Sequence, residues 1–219
     1  MIVQGQLDCL FDCWRTHLGP AAARFVRDGV MCSERDWAAL PLRIEFLLKE
    51  AHDRDDVMAK CQHDLVKLWC NPQDYAENRK VAERRVKQWT IDLYQALGAP
   101  LPAQDPRQLP CAVVNLSKPA GTSRANDKVL HDAALHQAWF IQEQLRILQP
   151  HWVVCGGTLR FINAWGGFEK IGSSGLIFRR QNVYWTNHYH PSYSGAPARH
   201  SQVIEALRQA GREGRFRTA

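Results

Sequence analysis

Short apolar runs that alternate with longer amphipathic stretches constrain the fold of this chain more than any other feature. The runs IEFLL after Pro41, CAVVN after Pro110 and WVVCGG after Pro150 are of strand length and end in polar or glycine residues. Helical patterns separate them, and a strand–helix–strand order favours a parallel sheet that is covered on both faces. We therefore predict an α/β fold, with a central, mostly parallel β-sheet flanked by helices in three layers.

The predicted elements follow one another without an internal repeat or a low-complexity tract. We expect one domain over residues 1–219, with an N-terminal helical segment over residues 1–40 and a helical pair over residues 54–98 between the first and second strands. The apolar spacing also predicts a long helix over 130–148, a short helix over 158–165, a hairpin over 175–190 and a last helix over 197–209.

Positive charge is concentrated in the C-terminal half of the chain. Residues 1–109 carry 15 Lys and Arg against 16 Asp and Glu, whereas residues 110–219 carry 13 against 6. The net charge of +6 therefore comes from the second half, where several arginines stand beside Trp, Tyr and Phe. A basic half of this kind favours a polyanionic partner.

The seven cysteines lack the spacing of a disulfide framework or a metal site. No C-x-x-C pair is present, and an odd number without an export signal favours reduced thiols. A metal or iron–sulfur site built from Cys9, Cys13, Cys61 and Cys70 is the alternative to buried apolar thiols. We favour buried thiols and expect no metal and no cofactor.

Apolar stretches in this chain are of strand length, far below the roughly 18 residues that a membrane span requires. The N-terminus also lacks a basic segment followed by an apolar block, which is typical of a secretory signal. We therefore expect a cytoplasmic monomer with no membrane partner.

Polar residues follow each predicted strand at the edge where ligands gather in parallel sheets. Glu50 follows the first strand, Asn115 the second, and His188 and His190 the last. Each also has an ordinary structural role, as a helix-start acid, a loop amide or a turn histidine. A zinc site from these histidines, Glu50 and His52 is an alternative, but no H-E-x-x-H spacing is present. Their convergence at one edge predicts a functional site.

Motifs of several common enzyme classes are absent from the sequence. There is no G-x-S-x-G segment for a nucleophile elbow, no P-loop and no G-x-G-x-x-G segment. These absences disfavour a hydrolase with such an elbow and enzymes that hold nucleotides in these loops.

The order of four motifs along the chain resembles one known family. KEAH follows the first strand, AVVN forms the second, ILQPHWVVCGG contains the third and HPS follows the last. This order, from about Leu42 onward, resembles the uracil-DNA glycosylase superfamily, most specifically in CAVVNLSK, LRILQPHWVVCGGT and NHYHPSYS. The first motif departs from the family pattern, since Lys49 replaces its glycine and His52 its proline. Glu50 falls on the acidic position of the Gly-Glu-x-Pro members, and the cysteine spacing of the iron–sulfur branch is lacking.

The resemblance implies an enzyme that flips a base out of DNA and hydrolyses its N-glycosidic bond, leaving an abasic site. It implies that Glu50, with Asp53 as the alternative, acts on the attacking water, and that His190 stabilises the departing base. The other implied site residues are the base contacts Asn115, His52 and His188, and the DNA contacts Lys118, Ser192, Tyr193, Ser194 and Arg199. Among these, Tyr193 is the side chain that fills the space left by the flipped base.

The residue that follows His52 bears on which base the enzyme would remove. Uracil-specific members carry a tyrosine there that blocks the 5-methyl group of thymine, whereas this chain has Asp53 followed by RDD. This polar cluster favours a bulky hydroxylated group at C5, such as that of glucosylated hydroxymethylcytosine in phage DNA, and an antiviral role. Alternatives are excision of uracil or another deaminated base, a catalytically silent DNA-binding module, and a nucleoside hydrolase without DNA contacts. The acids also suit a solvated helix start.

Overall fold

The computed structural model describes residues 3–52, 64–70, 80–102, 110–121 and 126–216. In chain order its strands are β1 (Gly29–Val30), β2 (Ile44–His52), β3 (Ala112–Gly121), β4 (Trp152–Gly156), β5 (Glu169–Ile171), β6 (Ile177–Arg180) and β7 (Val183–His188). Its helices are α1 (Val3–Leu18), α2 (Glu34–Ala39), α3 (Leu65–Cys70), α4 (Lys80–Ala96), α5 (Asp127–His136), α6 (Ala138–Leu148), α7 (Leu159–Ile162) and α8 (Ala196–Arg212). Two 3₁₀ helices cover Gly19–Arg24 and Asn163–Trp165.

The strands form one mixed sheet in the order β1-β3-β2-β4-β7-β6-β5. Strands β3, β2, β4 and β7 run parallel at its centre. Strand β1 pairs antiparallel with β3 on one side, and β6 and β5 extend the other side as antiparallel strands. The predicted α/β fold with a mostly parallel central sheet is confirmed.

Helices cover both faces of the sheet because its central strands are apolar on both sides. Along β2, Phe46 belongs to the core that α4 and α8 cover, and Leu47 belongs to the core that α1, α5 and α6 cover. Trp89 of α4 lies in the first core and Trp14 of α1 in the second. A polar side chain inside this sheet is therefore costly unless it is paired or uncharged.

The stretch predicted as one helix over residues 130–148 is two helices, so that prediction is wrong. Gln137 separates α5 from α6 with φ −110° and ψ 11°, outside the helical region. Its side-chain oxygen accepts a hydrogen bond from Trp14 Nε1 at 2.9 Å. The position of the break thus coincides with a contact to α1, which the local sequence does not reveal.

Two further differences between the prediction and the structure concern the short strands β1 and β5. The segment 1–40 is helical in α1, α2 and a 3₁₀ turn, but Gly29–Val30 pairs with β3 as a strand. The three-residue strand β5 is absent from the predicted elements. Of the helical pair expected over residues 54–98, α3 and α4 are described, and the remainder lies outside the described residues. In the ranges that the structure describes, no helix combines the length and apolar character needed to cross a membrane.

Candidate active site

Two of the four parallel strands, β4 and β7, end at one row of paired residues, and β2 and β3 continue beyond this row. Asn115 of β3 pairs with Leu48 of β2, and Gly156 of β4 pairs with His188 of β7. The two pairs lie in one row, because Leu47, which precedes Leu48, pairs with Cys155, which precedes Gly156. Residues just beyond this row form the rim of the sheet on which the predicted site residues converge.

Glu50 lies two residues beyond this row, near the end of β2. It pairs with Ser117 of β3, and a side chain at Gly121 would collide with its carboxylate. Partial burial raises the pKa of Glu50, and the positive charge of Lys49 opposes that rise. A carboxylate held against a glycine backbone and beside a cation is suited to act as a general base.

His190 lies in the loop that follows β7. Its Nδ1 accepts the Ser192 N–H at 3.3 Å and lies 2.7 Å from Ser192 Oγ. Burial, reinforced by the charge of Lys49, lowers the pKa of His190 to about 4. The ring is therefore neutral at pH 7, and its proton is on Nε2 because Nδ1 accepts a backbone hydrogen bond. His190 thus offers one N–H donor without a positive charge.

Lys49 lies near both Glu50 and His190, since it precedes Glu50 in β2 and its charge acts on the pKa of both groups. A Cβ on Gly157 would lie 3.2 Å from Lys49 Cε and 3.6 Å from the backbone nitrogen of His190. Gly157 also has a φ of 75°, so both its backbone conformation and this close approach favour glycine. Lys49 is absent from the predicted site residues, although its place beside Glu50 at the strand end could have indicated it.

Asn115 is buried inside β3 and not at its end, because the strand continues to Gly121. Its backbone N–H donates to Asp28 Oδ2 at 2.7 Å. Its side-chain Nδ2 is buried without a hydrogen-bond partner among the described residues. A buried amide group without a partner is costly, so Asn115 retains an unused donor close to the rim.

The prediction that Lys118 contacts DNA is wrong. Lys118 is fully buried, and its Nζ lies 2.6 and 2.7 Å from the two carboxylate oxygens of Asp28. Gln144 Nε2 donates to the same carboxylate at 2.8 Å, and Trp14 lies under the ammonium at 5.0 Å. Lys118 therefore neutralises a buried acid, because an unpaired charge in this core would be very costly.

A second buried acid, Glu45 of β2, interacts electrostatically with the ion pair between Lys118 and Asp28. Neither of its carboxyl oxygens has a hydrogen-bond partner in the part of the chain that the structure describes. Burial, reinforced by the charge of Asp28, raises the pKa of Glu45 to about 8, although Lys118 opposes this rise. Glu45 is therefore mainly protonated at neutral pH.

His188, predicted as a base contact, is enclosed beneath the rim. It is fully buried, and its Nε2 lies 3.1 Å from His200 Nδ1, whose Nε2 lies 3.0 Å from Asp92. Trp89 of α4 stacks on His200 at 4.7 Å. Burial lowers the pKa of His188 well below its ordinary value. The contacts give His188 a role in packing α4 and α8 against β7, and the prediction of a base contact is corrected accordingly.

The loop residues predicted to contact DNA are Ser192, Tyr193 and Ser194, and all three are exposed. Arg85 of α4 holds this loop, since its Nη1 donates to the carbonyl oxygens of Pro191 at 2.5 Å and Tyr193 at 2.8 Å. Arg85 is absent from the predicted site because no local pattern connects α4 with a loop 106 residues away.

Arg199 of α8 lies partly buried beside the same loop. Its Nε donates to the carbonyl oxygen of Asn187 at 3.0 Å, and its guanidinium lies over the Tyr189 ring at 5.3 Å. Arg199 is therefore anchored at the edge of the site, and its contact with a phosphate stays a prediction.

His52 and Asp53 are the remaining predicted site residues near the end of β2. The backbone of His52 ends β2 and pairs with Gly121, and its contact with a base stays a prediction. Asp53 and the acids that follow it lie outside the described residues. Within the described ranges, no group of three or more His, Cys, Asp or Glu side chains could hold a metal ion.

No protein-family model matches this chain, and no curated protein matches it. The function is therefore inferred from the fold and from the residues that meet at the rim.

Proposed function

We propose that this chain is a DNA glycosylase with a uracil-DNA glycosylase-like fold, which hydrolyses the bond between a flipped base and its deoxyribose. The observation that carries the proposal is the place of Lys49, which is next to the carboxylate Glu50 in β2 and close to the loop of the neutral His190. Cleavage of this bond needs an acid–base group on the sugar side and a hydrogen-bond donor on the base side. The basic C-terminal half supports DNA as the partner.

Glu50 acts on the sugar side of the bond. As the bond between C1′ and the base nitrogen breaks, positive charge develops on the deoxyribose, and a nearby carboxylate stabilises it. The oxygen of a water molecule forms the new bond to C1′, and ionised Glu50 accepts the proton of that water. Lys49 favours the ionised carboxylate because its charge opposes the rise in pKa that burial causes.

His190 acts on the base side. The electron pair of the broken bond moves to the departing base, and negative charge develops on a base oxygen. The Nε2–H of neutral His190 donates a hydrogen bond to that oxygen, while Ser192 holds the ring by Nδ1. The base then takes up a proton from solvent, and Glu50 releases its proton to solvent.

Other described residues support recognition of a flipped nucleotide. The free Nδ2–H of Asn115 suits a polar edge of the base, because a buried pocket donor selects the group that pairs with it. The exposed loop that Arg85 holds suits backbone contacts with Ser192 and Ser194. Tyr193, exposed in the same loop, fills the space that the flipped base vacates.

We propose a modified pyrimidine as the base, such as glucosylated hydroxymethylcytosine in phage DNA. This part of the proposal rests on the sequence, where Asp53 stands at the position of the tyrosine in uracil-specific members of the superfamily. Excision of uracil or another deaminated base is the alternative. A catalytically silent DNA-binding module is the alternative of another class, but it has no use for a carboxylate and a neutral histidine that both lie near Lys49.

The test is incubation of the purified protein with oligonucleotides that each carry uracil, hypoxanthine, hydroxymethylcytosine or its glucosylated form. Alkali then cleaves the strand at any abasic site. Glu50→Gln should lower the rate of base release by about 10²-fold or more, since it removes the general base with little change in volume. Glu205→Gln on α8, whose side chain is 65% exposed, is the matched control and should retain the parent rate.

Each outcome of this experiment decides between the functions. Strand cleavage of one oligonucleotide by the parent protein supports a glycosylase and identifies its base. DNA binding with no cleavage of any of the four supports the silent module and contradicts the glycosylase. Near-normal base release by the Glu50→Gln variant would refute the role of Glu50 and direct attention to Asp53.

A further inference from the structure

Two exposed tyrosines flank the candidate catalytic histidine. Tyr189 is 45% exposed and Tyr193 is 56% exposed, and they immediately surround the segment His190-Pro191-Ser192. Among the described residues only six large apolar side chains are exposed, and two of the six are these tyrosines. Their ring centroids lie 5.4 Å apart with an interplanar angle of 86°, so the rings brace each other edge to face.

An arginine covers one side of Tyr189. The Arg199 guanidinium carbon lies 5.3 Å from the ring centroid, and the Arg199 Nε–H is fixed by the carbonyl oxygen of Asn187. Tyr189 nevertheless remains 45% exposed as a residue. An aromatic ring with a cation over one face and open surface elsewhere is suited to stack on a flat, electron-rich ligand close to a negative charge.

The tyrosines are held in place before any ligand binds. Arg85 donates to the carbonyl oxygens of Pro191 and Tyr193, and the Tyr193 N–H donates to the His190 carbonyl oxygen at 2.9 Å. The Tyr193 ring lies over Gly195, where a Cβ would be 2.9 Å from Tyr193 Cε1. A ligand that stacks here therefore pays little for ordering the loop, which is the advantage of a preorganised site.

We propose that Tyr189, backed by Arg199, is a stacking site for an unpaired nucleobase next to the base held at His190. Its ligand is single-stranded DNA, because bases in a duplex already stack on their own neighbours and leave no face free. The proposal rests on the proposed function in taking DNA as the ligand, and it adds a preference for unpaired DNA that the catalytic residues do not imply.

The experiment measures binding and not catalysis, so it is independent of base excision. The probe is a ten-nucleotide single strand of thymidine with a fluorescent end label, compared with an unmodified blunt duplex. Tyr189→Ala should weaken binding of the single strand by about 5- to 150-fold, the range for loss of one stacked base, and Tyr189→Phe should retain it. Binding of the duplex should change by less than about twofold, as expected of contacts to the phosphates.

Two controls separate stacking from other causes of weaker binding. Trp139→Ala removes an even more exposed ring on α6, 63% exposed, and should leave binding unchanged. The slope of log K against log salt should be the same for the parent protein and Tyr189→Ala, because stacking releases no counterions. An equal loss for single strand and duplex, a reduced salt slope, or parent-like binding by Tyr189→Ala would each overturn the proposal. If stacking is found while no base is excised, the glycosylase proposal fails and the stacking site remains.

Discussion

Glu45 provides a quantitative test of the buried polar network beside β2. Burial, reinforced by the charge of Asp28 and opposed by that of Lys118, raises the pKa of its carboxyl from 4.5 to about 8. Below pH 4.5 the folded and unfolded chains both hold the proton, so Glu45 makes no difference to the pH dependence of folding. Above that pH the unfolded chain loses the proton first, and the free energy of unfolding falls until the folded chain also loses it near pH 8.

The size of this fall follows from the two pKa values. Each pH unit between them lowers the free energy of unfolding by about 1.4 kcal/mol. Glu45 is only partly ionised in the unfolded chain near pH 5 and in the folded chain near pH 8.5. The free energy of unfolding therefore falls by roughly 3 to 4 kcal/mol between about pH 5 and about pH 8.5 because of Glu45. Glu45→Gln has nearly the same shape and cannot ionise, so this variant should lack the fall.

The assay is urea unfolding of the parent protein and Glu45→Gln at both pH values, followed by tryptophan fluorescence. The parent and the variant share all other titrating groups, so the difference between their pH dependences isolates Glu45. Glu205→Gln, with an exposed side chain on α8, should behave as the parent protein does. If Glu45→Gln loses as much stability with rising pH as the parent, Glu45 is not a protonated buried acid in the folded chain.

Four further predictions concern the rim and DNA binding. Lys49→Met should move the acid limb of the pH–kcat/KM profile to higher pH, since Lys49 holds down the pKa of Glu50; a move to lower pH would contradict this. Gly121→Ala should lower kcat by about 10²-fold with an unchanged circular dichroism spectrum, because its Cβ displaces the Glu50 carboxylate; unchanged kcat would show that the contact is unimportant. Asp53→Tyr should abolish single-turnover excision of a bulky C5-modified cytosine but preserve DNA binding; excision at the parent rate would show that Asp53 points elsewhere. Log K for duplex DNA should fall with log salt at a slope of about −2.7 to −4.5 if three to five basic groups meet phosphates, whereas a flat response favours a nucleoside hydrolase.

The central strands were predictable because their apolar runs are a local signal. The run IEFLL lies in β2, and AVVN begins β3. The strand ends were less predictable, since polar residues there suggested loops. Glu50 instead pairs with Ser117, and His52 with Gly121, so these backbones continue the sheet beyond the apolar runs. Pairing with a neighbour extends a strand where its own sequence would end it.

The candidate site was predictable only in part, for the same reason. Glu50 and His190 could be found because polar residues at the ends of parallel strands meet at one edge. Lys118 was misassigned because its partner, Asp28, is 90 residues away and carries no local signal. Arg85 was missed because its bonds reach a loop carbonyl at Pro191, and backbone acceptors leave no trace in residue identity.

The central place of β2 has a consequence for the synthesis of the protein. β2 lies between β3 and β4, and both of these follow it in the chain, with Ile44 pairing as far ahead as Trp152. A nascent chain on the ribosome therefore presents the apolar strand β2 with two bare edges until both partners have been translated. Such an edge invites association with other unfolded chains, so shielding by a chaperone would matter most during this interval. The rim, which also needs His190, comes into existence only after translation has passed β7.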